Sequence, residues 1–287
     1  MRLPCASMNR AAAKNQWFVV AAYALLAATS QLLWLTFAPI TTEASLLLNV
    51  SDSAVGWLAE IFPLTYVLLA IPAGILLDRW MRQTLIAAGV LMFGGAALRL
   101  VGDGFSVILA GQVLIAIAQP AVVTAVTKLS AESVSPEYRT LAISIGSAGT
   151  FLGIVAALVL GATVGSQGEM EPLLVINLVV AIAAMLGIAV ALRRPLPGTS
   201  DEAVSVGFHE LRRLYSDPVL GRLGTLIFVG MGVFNALATW LEVLLSPSGV
   251  TSSAASWMLV VTAVAGIAGA ILIAPWVAAR SREQVYL

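Results

Sequence analysis

The stretch Gly74-Ile75-Leu76-Leu77-Asp78-Arg79-Trp80-Met81-Arg82-Gln83 separates two long apolar runs. Three charged residues fall within five positions, and the second apolar run begins at Thr84. Charged residues are costly inside a bilayer and ordinary at its surface. The stretch therefore predicts a tight loop that joins two membrane-spanning helices. The alternative is an ordinary charged loop of a helical hairpin with no further role.

The composition indicates an integral membrane protein. Of the 287 residues, 60% are hydrophobic and 10% are charged, and the mean hydropathy is +0.96. Apolar runs of about 20 residues fit membrane-spanning helices, which satisfy their own backbone hydrogen bonds. The formal net charge of zero implies no nucleic-acid role. With one cysteine, Cys5, and one histidine, His209, the chain has no Cys/His cluster for a metal, and no cofactor is expected.

The hydropathy pattern predicts an all-α fold with eight membrane spans. They cover about residues 17–41, 54–77, 84–101, 105–128, 140–164, 172–192, 221–245 and 254–277. With the N-terminus inside the cell, 14 of the 15 Lys and Arg residues fall on the inner side, and Arg99 is the exception. Because cytoplasmic segments are rich in cations, both termini are predicted to be cytoplasmic.

The stretch at residues 74–83 resembles the G-x-x-x-D-[RK]-x-G-[RK] signature between the second and third helices of the major facilitator superfamily. Gly74, Asp78, Arg79 and Arg82 match it, and Met81 stands at the position of its second glycine. The resemblance implies a twelve-helix transporter in two six-helix halves, so eight spans would be a truncated or partial chain; the alternative is a natural eight-helix protein. It also implies that the matching residues form an inner gate between the halves. Arg139, at the start of span five, is expected to join this charge cluster.

The domain organisation follows from the same pattern. Residues 1–16 are a polar cytoplasmic arm, and residues 17–192 form a six-helix bundle. Residues 193–220 are a cytoplasmic central loop, in which Phe208, Leu211, Leu214 and Tyr215 lie on one face of an amphipathic helix. Residues 221–287 supply two helices of a second bundle. Within the loop, His209 is interpreted as a solvated interfacial residue.

Polar residues concentrate in spans one, four and seven, the spans that line the central cavity in the resembling superfamily. The candidates for substrate binding are Gln31, Trp34, Gln119, Asn235, Thr239 and Glu242. Polar groups inside a bilayer normally face protein or water, so these residues are expected to converge on one interior space. For Trp34 and Gln119, the alternative is a packing role between helices. Span three is almost purely apolar, and span six carries one polar residue, Asn177.

Two acids are candidates for coupling to a cation or a proton. Glu60 lies early in span two, and Glu242 lies in the outer third of span seven. An ionisable residue within a span is a functional hypothesis by default. The alternative for both is an acid solvated near the outer interface.

Several stretches resemble the feline leukaemia virus subgroup C receptor-related subfamily, which is associated with choline, ethanolamine and haem. They are Trp57-Leu58, Pro63-Leu64-Thr65-Tyr66, Ala118-Gln119-Pro120, Thr127-Lys128-Leu129 and Pro136-Glu137-Tyr138-Arg139-Thr140-Leu141-Ala142. The resemblance implies that Trp34 packs on a substrate ammonium group by cation–π attraction. The glutamine that this group carries in helix five falls at Phe151, and Glu60 is unusual for the group.

The sequence therefore predicts a multi-pass plasma-membrane transporter. It would move a small organic solute, such as a choline-like amine or haem, by alternating access, with a coupling ion as a candidate partner. The alternative is a truncated chain without transport activity, or a partner subunit. An enzyme is not expected, because no span carries a paired His, a Ser/His pair or facing carboxylates.

Overall fold

A computed structural model describes residues 5–102, 104–165, 169–193 and 218–279, with side chains from 15 to 269 within those ranges. All regular elements there are helical. The α-helices are α1 (Cys5–Trp34), α2 (Thr41–Leu48), α3 (Asp52–Val101), α4 (Phe105–Ser133), α5 (Arg139–Thr163), α6 (Glu171–Ala191), α7 (Pro218–Leu245) and α8 (Ser252–Ala279). Short 3-10 turns occupy Ala38–Ile40, Pro136–Tyr138 and Ser246–Ser248.

Among the described residues, seven helical segments are long and apolar enough to cross a membrane. This count treats α3 as one segment and joins α1 to α2, so the predicted total of eight spans stays a prediction. The predicted central loop, with His209 and its amphipathic helix, lies at 194–217, outside the described residues. The predicted arm at 1–16 is helical from Cys5 onward, because α1 begins there.

Helix α3 reverses direction within the charged stretch at residues 74–83. Its 50 residues would measure about 75 Å if straight, far more than the roughly 30 Å of a bilayer core. Trp80 has non-helical dihedrals (φ −142°, ψ 51°), and Thr84 Oγ1 donates to Leu76 O at 3.2 Å across eight residues. This contact requires the chain to fold back. The predicted loop is therefore confirmed, and the turn forms at Trp80 without a glycine or a positive φ.

The predicted span at 17–41 is not one helix, which corrects the sequence analysis. Helix α1 ends at Trp34, residues 35–37 are non-helical, and a 3-10 turn leads into α2. We call residues 35–37 the α1 break. Helix α2 ends at Leu48 and is followed by Asn49, whose left-handed conformation (φ 53°) is one that asparagine tolerates better than most residues.

Close helix contacts build the first bundle around α1. Gly149 and Gly153 of α5 form a G-x-x-x-G pair that lies against the α1 backbone at Ala24 and Ala28, where an added Cβ would collide with carbonyl oxygens. Helix α3 packs on α4 and α6, and α8 packs on α5. The largest core cluster includes Leu26, Leu33 and Phe62 among its fully buried members.

Two ends of the molecule are named for the orientation that the cations predict. The outer end contains the connections near residues 49, 102, 165 and 249, and the inner end contains those near residues 80, 135 and 193. Helix α7 is buried only toward the outer end, at Ala238, Thr239 and Glu242. Residues 224–233, further inward on the same helix, are exposed in this structure.

Candidate functional site

Glu242 connects α7 to the first bundle at the outer end. It is 3% exposed, and its Oε2 accepts a hydrogen bond from the Thr42 backbone N–H at 3.1 Å. Its Oε1 accepts from the Ser252 hydroxyl at 3.2 Å. Hydrogen bonds to a charged group contribute about 1.5–3 kcal/mol each, which offsets part of the cost of burying a carboxylate. Glu242 therefore joins α2, α7 and α8 at one point.

Two more contacts close the same end. The Ser256 hydroxyl of α8 lies 3.2 Å from Pro39 O and 2.7 Å from Ser252 O, so it can donate to either carbonyl. The Trp240 ring packs against Gly56, where an added Cβ would come within 2.6 Å of Trp240 Cη2. Glycine is required there for this close approach. We call the set Pro39, Thr42, Glu242, Ser252 and Ser256 the outer contact.

The remaining α7 candidates lie on the same stripe as Glu242. Asn235, Thr239 and Glu242 follow one another at i, i+4 and i+7, so they share one helix face. Thr239 is buried, whereas Asn235 is half-buried and its Oδ1 has no hydrogen-bond partner in the described chain. Below the outer contact, this stripe therefore offers one free acceptor for a polar ligand.

Trp34 is tied into the first bundle by its indole N–H. Pro63 lies inside α3 and has no N–H, so the Ala59 carbonyl has no helical donor. Trp34 Nε1 donates to Ala59 O at 3.0 Å, and its ring lies 6.3 Å from the Phe62 ring centroid. The packing alternative therefore has direct support at Trp34, and its role in substrate binding stays a prediction.

Gln31 and Gln119 are both buried polar residues of the first bundle. Gln31 Nε2 donates to Ser30 Oγ at 3.2 Å. Gln119 is 5% exposed, and its amide forms no hydrogen bond with the described residues. An amide without internal partners is available to a ligand or to water, which favours Gln119 over Gln31 as a binding group.

Glu60, the other predicted coupling acid, follows Ala59 in α3. It is half-buried, and it forms no ion pair or hydrogen bond within the described ranges. Its environment therefore distinguishes it from Glu242, which is sealed and has two donors.

A second buried polar cluster surrounds the α1 break, and the sequence analysis did not assign it. Arg99 is 1% exposed, and its Nη1 donates to Gln112 Oε1 at 2.9 Å, to Leu33 O at 3.3 Å and to Thr36 Oγ1 at 3.4 Å. Asn177 Nδ2 donates to Thr36 Oγ1 at 2.8 Å. We call Thr36, Arg99, Gln112 and Asn177 the Arg99 network. Its sequence signals were the one outer cation and the one polar residue of span six.

The predicted gate residues at the inner end do not contact α7 or α8 through ion pairs in this structure. Asp78 Oδ1 pairs with Lys128 Nζ at 2.9 Å, and Lys128 lies 3.9 Å from Glu132 Oε1. All three belong to α3 or α4. Arg79, Arg82 and Arg139 are exposed and form no ion pair with the described residues. Gly74 has no atom within 4 Å of an added Cβ, so close packing does not require it.

An apolar cavity of about 590 Å³ lies beside the α3 reversal, between the two arms of α3 and α4. Trp80 and Leu76 are among its lining residues, and Gln83 and Thr84 supply its polar groups. None of the six predicted substrate-binding residues lines it. The cavity is therefore separate from the predicted site.

Together, the long apolar helices and the buried polar groups define a polytopic helical membrane protein. Residues 19–287 match the Major Facilitator Superfamily, and the chain belongs to that superfamily. The predicted all-α fold of this type is thereby confirmed at the level of the superfamily.

Individual relatives of the chain are solute carrier proteins. Solute carrier family 49 member A3 of Danio rerio is 30% identical over 280 residues, which cover 92% of this chain and 59% of the relative. The Xenopus tropicalis protein of the same name is 26% identical over 285 residues, with coverage of 91% and 56%. The chain thus spans less than two thirds of the length of these relatives. They do not support the narrower resemblance to the feline leukaemia virus subgroup C receptor-related proteins, which stays a prediction.

A solved structure shares the fold. The crystal structure of a bacterial homologue of the human lysosomal transporter Spinster, in an inward-facing and unoccupied conformation, superposes with a TM-score of 0.69. The similarity covers 90% of this chain and 61% of that chain at 20% sequence identity. At this identity, the comparison shows the fold alone.

Proposed function

We propose that the chain is part of a secondary transporter that moves a small organic solute by alternating access across the plasma membrane. The observation that carries the proposal is the outer contact, in which buried Glu242 joins α7 to α2. The inner part of α7 is exposed at residues 224–233. Within the described chain, α7 is buried against the first bundle only near its outer end, and this arrangement fits an inward-facing state with the outer contact as the closed gate.

The proposed substrate site lies below the outer contact. Gln119, Asn235 and Thr239 would supply polar groups, and Asn235 Oδ1 is a buried acceptor without a partner in the described residues. Trp34 and Gln31 would line the wall toward α3. An amine or another small polar solute suits acceptor groups of this kind, and the resemblance adds a choline-like amine or haem as candidates.

Glu242 is the proposed coupling residue. Its two hydrogen bonds hold the outer gate closed, so neutralising the carboxylate would weaken both of them. A cation or proton that binds Glu242 would thereby favour opening toward the outside. Glu60, without partners among the described residues, is the second candidate for this role.

Asp78, Arg79, Arg82 and Arg139 would act in the opposite state. In the structure, Asp78 pairs with Lys128 inside the first bundle. The exposed arginines are available to pair with the second bundle when the inner end closes. Both termini would be cytoplasmic, since this orientation places 14 of 15 cations on the inner side.

Uptake in cells tests the proposal. Radiolabelled choline, ethanolamine and haem are offered to cells that express the chain, or the longer polypeptide if the reading frame continues. We expect Glu242→Gln to reduce uptake about tenfold or more, as for loss of a charged hydrogen-bonding group. Glu169→Gln, at an exposed outer position, is the matched control and retains uptake. Normal uptake by both Glu242→Gln and Asp78→Ala would remove the roles proposed here.

A second candidate is a partner subunit without transport activity of its own. The specific observation is the exposed inner part of α7, whose apolar side chains include Ile227, Phe228 and Val233. Exposed apolar side chains in a membrane protein contact either lipid or another helix. Co-purification of a second membrane polypeptide, combined with no uptake by the chain alone, would favour this candidate.

A further inference from the structure

Arg99 is a buried cation that the proposed transport cycle does not use. It lies near the outer end of α3 and is 1% exposed. No carboxylate of the described chain pairs with it, and its Nε and Nη2 have no hydrogen-bond partner there. An intramembrane charge without a counter-charge is energetically costly, and it is a functional hypothesis by default. Its hydrogen bonds all come from Nη1.

Arg99 and Gln112 cap the end of α1. A helix leaves its last four carbonyl groups without internal donors, and α1 ends inside the protein at Trp34. Arg99 Nη1 donates to Leu33 O at 3.3 Å. Gln112 Nε2 lies 3.4 Å from both Leu33 O and Trp34 O, and 3.0 Å from Leu58 O. Side chains of α3 and α4 thus replace the missing helical donors.

The guanidinium group also fixes the break itself. Arg99 Cζ lies 5.6 Å from the centroid of the Phe37 ring, and Nη1 contacts Thr36 Oγ1. Thr36 and Phe37 are two of the three residues of the α1 break. A continuous helix through these residues would turn their side chains away and remove the capped carbonyls. Pro39 has no backbone N–H for Leu35 O and so disfavours a continuous helix, and the Arg99 network stabilises the broken form of α1 further.

The break determines where the outer contact forms. Pro39 and Thr42 follow it within five residues, and they supply the Ser256 and Glu242 partners. If α1 continued as a helix, both groups would rotate about its axis and leave these partners. The Arg99 network and the outer contact are thus joined by one short segment, residues 35–42.

We propose that Arg99 and Gln112 are positioning residues that hold α1 broken and thereby keep the outer gate closed. The inference rests on the proposed function, because it assigns a cause to the closed state of that gate. Neither residue contacts Glu242, so each acts through the α1 break. Removing either cap favours the continuous helix, and the outer end then opens more often.

Side-specific cysteine labelling tests the inference on the 287-residue chain. Cys5 is replaced by serine, and Thr239→Cys, one turn below Glu242, is the reporter. A membrane-impermeant maleimide is applied to right-side-out and to inside-out vesicles. Arg99→Met and Gln112→Leu should each raise labelling from the outside about tenfold, a typical coupling between distant sites. Labelling from the inside should not rise.

Two reference variants separate the possible outcomes. Arg222→Met removes an exposed arginine at the start of α7 and should change neither rate. Glu242→Ala opens the gate directly. If Glu242→Ala raises outside labelling, and folded Arg99→Met and Gln112→Leu do not, the inference is wrong and the proposed function stands. If none of the three raises it, both are wrong. If Arg99→Met does not fold, Arg99→Lys and Gln112→Leu decide by the same criteria.

Discussion

The outer and inner ends of the molecule use charge in opposite ways. At the outer end, Glu242 is sealed from solvent and accepts hydrogen bonds from Thr42 N–H and the Ser252 hydroxyl. At the inner end, Asp78 pairs with Lys128, and the Asp78 side chain is 47% exposed. The outer contacts join α7 and α8 to the first bundle, whereas the inner pair connects α3 to α4 within it.

This difference indicates which end resists opening in the structure. A buried charged hydrogen bond contributes about 1.5–3 kcal/mol, and an exposed ion pair contributes about 0–1 kcal/mol. Separating the helices at the outer end therefore costs more interaction free energy than separating those at the inner end. The following changes test this asymmetry, in order of decreasing expected effect.

Glu242→Ala should have the largest effect. It removes two hydrogen bonds to a charged group, together worth about 3 kcal/mol, so labelling of Thr239→Cys from the outside should rise on the order of a hundredfold. Glu169→Ala, an exposed acid at the same end, should leave the rate unchanged. Equal effects of the two substitutions would show that Glu242 does not hold the outer end closed.

Gly56→Ala should come next. An added Cβ would lie 2.6 Å from Trp240 Cη2, so the ring has to move. Overpacking of this kind costs about 1–3 kcal/mol, which predicts roughly a tenfold rise in outside labelling. The matched control is Gly94→Ala, where no atom lies within 4 Å of the new Cβ. A rise with Gly94→Ala as large as with Gly56→Ala would mean that the Trp240 contact is irrelevant.

Trp34→Phe should have a smaller effect, measured as thermal stability. The substitution leaves the Ala59 carbonyl without its donor, at a cost of about 1 kcal/mol. Pro63→Ala restores a backbone N–H four residues after Ala59, so the same Trp34→Phe change should cost less in that background. An identical cost in both backgrounds would contradict the role assigned to the indole N–H.

Asp78→Asn should have the smallest effect. It removes an exposed pair worth about 0–1 kcal/mol, so the melting temperature should fall by no more than about 3 °C. The difference from the unsubstituted chain should shrink further in high salt, since salt screens exposed charges. Outside labelling of Thr239→Cys should stay the same. A large increase in that labelling would place Asp78 in the closure of the outer end.

Local sequence patterns predicted the helices and the reversal at Trp80. Long apolar runs specify spanning helices, because about 20 consecutive apolar residues in a helix match the thickness of the bilayer core. The charges at Asp78, Arg79 and Arg82 indicated the turn, because charged residues are costly inside the bilayer. These features depend on neighbouring residues alone, and a single sequence contains that information.

Pro39 was a local sign of the α1 break, but the side chains that stabilise the break and the partners of the polar residues could not be predicted in this way. The break is stabilised by Arg99 and Gln112, which are more than 60 residues away from it along the chain. Pro63 leaves the Ala59 carbonyl without a helical donor, but only the packing of α1 on α3 shows that Trp34 donates to it. Arg99 itself was visible as the one outer cation, although its contacts were not.

The most direct test of the central claim compares labelling of Thr239→Cys from the two sides of the membrane. The reporter lies one turn inward of Glu242, in a chain with no other substitution except Cys5→Ser. We expect faster labelling in inside-out vesicles than in right-side-out vesicles, because the outer contact closes the path from the outside, whereas the inner part of α7 is exposed. Faster labelling from the outside would contradict it.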